Sequence, residues 1–294
     1  MSTSSASTLA AVDHETVTVN GIHLHVAKAG PTDGPLVILL HGFPEFWYGW
    51  RHQIEFLASQ GYHVWAPDQR GYNLSEKPFG VDAYRISQLS GDVVGLIDAA
   101  GRDQAFVVGH DWGAAVAWYT ALTAPERVCK LTILNVPHLK VMLEMVRTNP
   151  VQMLRSWYVG YFQIPALPEM ALTAFDGLMG AQALFGSSRP GTFKDADIAQ
   201  YVKAWNQPGA ATGMLNWYRA IVQYPPHLPE DVRVHVPTLV IWGARDRFLS
   251  REMAQASVEL CTDGRLVMIE EATHWVQHEE AGRVNALLAE HFGS

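Results

Sequence analysis

Residues 105 to 118, AFVVGHDWGAAVAW, run from an apolar stretch through Gly109, His110, Asp111, Trp112 and Gly113 into an Ala-rich segment. Glycines two places before and two places after a central residue permit a sharp strand-to-helix turn. Such a turn thrusts the central side chain out above the helix N-terminus. Here that side chain is the carboxylate of Asp111 instead of a serine hydroxyl. A serine alkoxide suits acyl carbons, whereas a carboxylate is already ionised near neutral pH and can displace a leaving group from a saturated carbon, leaving an alkyl ester on the protein. An aspartate in this place also has a plain structural use, capping the helix that follows.

Partners for that chemistry are spread along the chain. In HGFPEFWYGWR, His41, Gly42, Phe43 and Pro44 make a tight turn after an apolar run. Its backbone N–H groups, with that of Trp112, can form an oxyanion hole, which is needed only if an ester carbonyl is later attacked. Asp246 in WGARDRF and His274 in EEATHW each follow a later apolar run, giving the chain order nucleophile, acid, histidine. All three stand at strand C-terminal ends, where open α/β sheets place their sites. With 13 His and 29 acidic residues, either placement alone arises easily by chance, and both together much less so. Tyr158 in SWYVGYFQ and Tyr218 in LNWYRA add two phenols. A phenol can hydrogen-bond an oxygen and hand over a proton as an alkoxide develops, though in a chain with 10 Tyr plain packing is the competing use.

The elements that must position these groups are written as apolar runs alternating with helical patterns. The runs are 16–19, 22–28, 36–40, 63–66, 106–108, 131–134, 238–242 and 266–269, and the alternation predicts a mostly parallel sheet. Between them, 85–100 puts Ile86, Leu89, Val93, Leu96 and Ile97 on one stripe and stops at Gly101, a helix for one sheet face. From 138 to 229 no β-branched run appears, Pro and Gly punctuate short helical segments, and six of the nine Met fall here, which predicts an inserted helical cap. The core is then 1–137 with 230–294, of which 1–12 reads as a disordered tail.

Composition narrows the function classes. A chain of 294 residues, 48% hydrophobic and 17% charged, is globular and long enough for one α/β core with an insertion. Its 21 Lys+Arg against 29 Asp+Glu leave a net charge of −8, which repels phosphate backbones and argues against nucleic-acid binding. Cys129 and Cys261, far apart and in no CxxC pair, read as two buried thiols, not as a disulfide or a zinc cluster. No membrane span or signal peptide is expected, so a cytoplasmic location is. No metal-ligand spacing and no phosphate-binding glycine loop occur, so no cofactor is implied.

Taken together, HGFPEFWYGWR, APDQRGYNLSEKP, GHDWG, YFQ, LNWYRA and THW resemble, in order, segments of the α/β-hydrolase-fold epoxide hydrolases. The resemblance is to the bacterial enzymes and the C-terminal domain of mammalian soluble epoxide hydrolase, and it runs from about Val17 onward. It implies an α/β-hydrolase fold, an eight-stranded mostly parallel sheet flanked by helices with the cap inserted. Carried over by position, Asp111 matches the nucleophile, Asp246 the acid, and His274 the water-activating base. Tyr158 and Tyr218 match the ring-opening phenols, and Phe43 and Trp112 the oxyanion-hole residues. The same two aromatics and Trp217 are expected to bind substrate, and the bond before Pro44 to be cis. Tyr158 is preferred to Tyr161 because it stands three residues before the tyrosine of YFQ. The implied partners are a small to medium apolar epoxide and water, with the oligomeric state open. Haloalkane dehalogenases share the Asp nucleophile, but a halide leaves without a proton and Phe43 stands where many of them carry an Asn donor. Fluoroacetate dehalogenases carry Arg where Trp112 stands, and a serine esterase lacks its serine here. A non-catalytic small-ligand receptor on the same scaffold is the alternative outside enzymes.

Overall fold

A computed structural model describes residues 12–293. All eight expected runs are strands: β1 Asp13–Val19, β2 Ile22–Ala29, β3 Leu36–Leu40, β4 His63–Pro67, β5 Ala105–His110, β6 Val128–Leu134, β7 Thr238–Gly243 and β8 Gly264–Ile269. They form one sheet in the order β1-β2-β4-β3-β5-β6-β7-β8. From β4 onward every pairing is parallel, while β2 runs antiparallel to both β1 and β4. The hairpin between β1 and β2 turns on Asn20 (φ 46°) and Gly21 (φ 76°), a two-residue turn that needs positive φ at both positions.

Twelve helices accompany the sheet among the described residues: α1 Arg51–Ser59, α2 Ile86–Ala99, α3 Trp112–Thr123, α4 Leu139–Thr148, α5 Pro150–Arg155, α6 Trp157–Tyr161, α7 Leu167–Ser187, α8 Asp195–Trp205, α9 Ala210–Gln223, α10 Glu252–Val258, α11 Val276–Glu279 and α12 Ala281–Gly293. The predicted stripe of α2 is buried, and Gly101 closes the helix at φ 67° with its N–H on the Asp98 carbonyl. The central strands β3 and β5 are buried along nearly their whole length, as a sheet covered on both faces requires. Two apolar layers do the covering. One packs α2 and α3 against one face, and the other packs α1 and α12 against the opposite face. Each fully buried Val, Leu or Ile here contributes about 1.5–3 kcal/mol, which fixes the register of the strand ends that carry the chemistry.

Between β6 and β7 the chain holds α4 to α9 and no strand. The predicted tail, residues 1–12, lies outside the described residues except for Val12. Cys129 and Cys261 are free but only partly buried, so the expectation of two buried thiols is corrected; each sits at the margin of the sheet, near a strand end and a helix end. Among the described residues no helix is long and apolar enough to cross a membrane.

Candidate active site

Asp111 occupies the single residue between β5 and α3, at φ 49° and ψ −125°. A non-glycine residue held there stores about 1–3 kcal/mol of backbone strain, sustained by the packing of the flanking elements. The glycines explain why the bend fits. A Cβ on Gly113 would strike the Leu40 carbonyl, and one on Gly109 would strike the first turn of α3. The Asp111 side chain makes no capping bond to its own helix, so capping is not its use. Instead Phe43 N–H donates to its Oδ1 at 2.7 Å, and His274 Nε2 lies 3.4 Å from its Oδ2. The Phe43–Pro44 bond is cis, as expected.

His274 is 2% exposed and bonds on its other side, through Nδ1, to Asp246 Oδ2 at 2.7 Å. The Asp246 carboxylate is held at four points. Its Oδ1 accepts from the N–H groups of Phe248 (2.7 Å) and Leu249 (3.0 Å), and its Oδ2 accepts from Asn135 Nδ2 (2.8 Å) as well as meeting His274. Burial works against the His274 imidazolium, but Asp246 and Asp111 on either side overcome it and lift the group to about 10. Burial likewise opposes ionisation of Asp111, yet His274, His110 and the Phe43 N–H outweigh it and hold the carboxyl below its ordinary value. Two carboxyl groups thus flank the His274 imidazole, and together they favour its charged form.

A cavity of about 810 Å³ opens over this chain of groups. Asp111, His274, Phe43, Tyr158 and Tyr218 all line it, with Leu154, Trp157, Phe162 and Leu215 among its apolar walls. The rings of Tyr158 and Tyr218 stand 5.9 Å apart, edge to face. Burial pushes both phenols up, and the Asp111 charge pushes them further, which favours their protonated forms beside that carboxylate in the shared cavity. The Trp112 indole offsets part of this for Tyr218 by a hydrogen bond. Tyr161 also borders the cavity, with its ring packed on Trp157 and Phe162, whereas it is the Tyr158 ring that meets Tyr218.

One expectation is corrected. Trp217 is 1% exposed, does not line the cavity, and gives its indole N–H to the Arg70 carbonyl at 2.9 Å. It precedes Tyr218 on α9 and so points about 100° away around the helix, into the core. The partly buried Trp112 ring stands edge-on to Tyr218 (5.0 Å) and Trp217 (5.8 Å).

Residues 35–281 match the model of the α/β-hydrolase fold family. Epoxide hydrolase A of Mycobacterium tuberculosis is 35% identical, over 93% of this chain and 95% of the relative. The chain belongs to the epoxide hydrolase family of the α/β-hydrolase fold. The AB hydrolase superfamily protein YfhM of Bacillus subtilis is similar at 50% identity, over 94% of this chain and 96% of the relative. A crystal structure of an epoxide hydrolase variant from Bacillus megaterium, complexed with its naphthyloxy-propane-1,2-diol product, superposes with a TM-score of 0.87 at 31% identity, covering 95% of this chain and all of that one.

Within this family member, several groups around the site were not singled out from the sequence. Asn135, at φ 54° just beyond β6, bridges Asp246 and the Gly243 N–H. An Asn directly after a predicted strand was the available signal, since Asn tolerates positive φ. Glu45, in the same HGFPE turn as Phe43, is 1% exposed and gathers Tyr201 (2.7 Å), Gln277 (2.9 Å) and His278 (2.6 Å) beneath the site. Nothing local to either residue announces those partners, which come from distant parts of the chain.

Proposed function

We propose that the protein hydrolyses apolar epoxides to vicinal diols through a hydroxyalkyl ester on Asp111. One observation carries the reading: the Asp111 carboxyl at a strained bend, with no capping bond to its own helix, shares a cavity with two phenols, and a histidine–aspartate pair stands behind it. A phenol pair suits a reaction in which an oxygen must be protonated as its bond to carbon breaks. The similar Bacillus megaterium structure, which contains a diol product, supports the same reading. Residues 138–229 serve as the cap, whose α5, α6, α7 and α9 supply much of the cavity wall.

In the first step Tyr158 and Tyr218 hydrogen-bond the epoxide oxygen while an Asp111 oxygen attacks a ring carbon from the far side. The ring C–O bond breaks, and one phenol gives its proton to the new alkoxide. Forming the ester removes the Asp111 charge that helped to hold the His274 imidazolium, so His274 loses its proton and the phenolate regains one. In the second step neutral His274, oriented by Asp246, takes a proton from water, and the hydroxide attacks the ester carbonyl. The N–H groups of Phe43 and Trp112 stabilise the oxyanion. The intermediate collapses, its hydroxyl proton passes to the departing diol oxygen, and the carboxylate, imidazolium and phenols return to their starting states.

The test is direct. Purified protein incubated with styrene oxide and, separately, with a chloroalkane is expected to release diol from the first and little chloride from the second. Chloride release without diol formation would assign the Asp111 chemistry to dehalogenation instead.

A further inference from the structure

The loop that follows β7 does two jobs at one residue. Phe248 gives its N–H to the Asp246 carboxylate at 2.7 Å, and its ring packs against His274 (5.2 Å) and Tyr158 (5.9 Å). The carbonyl of the same residue is taken by Gln152, on α5 in the segment between β6 and β7. Gln152 is 0% exposed, and its amide is used at both ends. Nε2 donates to the Phe248 carbonyl (2.9 Å) and the Ser156 hydroxyl (3.0 Å), while Oε1 accepts the Ser250 N–H (3.1 Å). A flipped amide would set N–H against N–H at Ser250, so these bonds fix its orientation. Its own backbone is anchored too, since Asn149 Oδ1 accepts the N–H groups of Val151 (2.9 Å) and Gln152 (3.2 Å).

We propose that Gln152 is a positioning residue for the hydrolytic half of the reaction: through the carbonyl of Phe248 and the N–H of Ser250 it holds the loop whose N–H groups aim Asp246 at His274. This rests on the reading of Asp111, Asp246 and His274 given above. A buried amide with every bond satisfied is costly to disturb, because removing it leaves the Phe248 carbonyl and the Ser250 N–H without partners. The consequence falls mainly on the acid and the base; the nucleophile is held from the other side by Phe43, and the first step is touched only through the Phe248 ring on Tyr158 and the Ser156 bond. Seating of α5 is thereby linked more strongly to the second step than to the first.

The test separates the two steps. Rapid mixing of the full-length protein with styrene oxide, followed by acid quench and intact-mass measurement, gives the rates at which the Asp111 ester forms and decays. In Gln152→Leu the ester is expected to decay about tenfold more slowly, the worth of one net hydrogen bond, with a clearly smaller effect on its formation. If the leucine variant does not fold, Gln152→Met, whose flexible chain fills the same space, is used in its place. In an Asp246→Asn background the same change is expected to have no further effect, since Gln152 acts through Asp246. Equal slowing of both steps, an unchanged decay, or a full tenfold effect on top of Asp246→Asn would each overturn the proposal. Failure to detect any ester in the wild type or in His274→Gln would instead count against the covalent reading itself.

Discussion

His274→Gln is expected to trap the protein as its substrate adduct, with a mass increase equal to one intact epoxide and turnover reduced by about 10³-fold or more, the range general-base loss produces. Glutamine keeps a polar group between Asp111 and Asp246 but cannot accept a proton from water, so ester formation continues and ester hydrolysis stops. The wild type should show the same division as a function of pH. Before reaction, burial opposes the His274 charge and the two carboxylates raise the group to about 10. In the ester only Asp246 remains as a charged partner, so the midpoint lies lower. Acidification through that midpoint protonates His274 and slows hydrolysis, while ester formation persists further into acid, because Asp111 is held below the ordinary carboxylate range. Single-turnover rates measured across pH check this. A hydrolysis rate that rises on acidification would contradict it.

Replacing Tyr158 and Tyr218 together by phenylalanine is expected to abolish ester formation, with each single change costing about 10²-fold in that step and little in ester decay. Either phenol alone still donates one hydrogen bond to the epoxide oxygen, which is why the single changes are milder and the pair is not additive. Phenylalanine preserves the ring packing of Tyr158 on Phe248 and of Tyr218 on Phe43 and Phe162. Lost activity with an unchanged melting temperature would therefore report on the hydroxyls. The same measurement on Tyr161→Phe should show a near wild-type rate, since the ring paired with Tyr218 is that of Tyr158 and the Tyr161 ring packs on Trp157 and Phe162.

The strands were legible because each is a short apolar run closed by turn residues, and the elbow was legible because Gly109 and Gly113 bracket Asp111 in only five residues. Strand direction was less so: the reversal of β2 is decided by the Asn20–Gly21 turn and by pairing with β4, not by its apolar pattern. Trp217 shows the limit of reading an aromatic by its neighbour. One helical step separates it from Tyr218, and that step is the difference between the cavity and the core. Gln152, Glu45 and Asn135 bond to residues 96, 156 and 111 positions away, so only the closed fold gives them meaning.

The covalent ester is tested most directly by isotope. With enzyme in excess over epoxide in water enriched in oxygen-18, a single turnover is expected to give an unlabelled diol and a label on the peptide that contains Asp111. The diol takes its new oxygen from the carboxylate, and water replaces that oxygen. A diol carrying oxygen-18 after the first turnover, with none on Asp111, would mean that water attacks the epoxide directly.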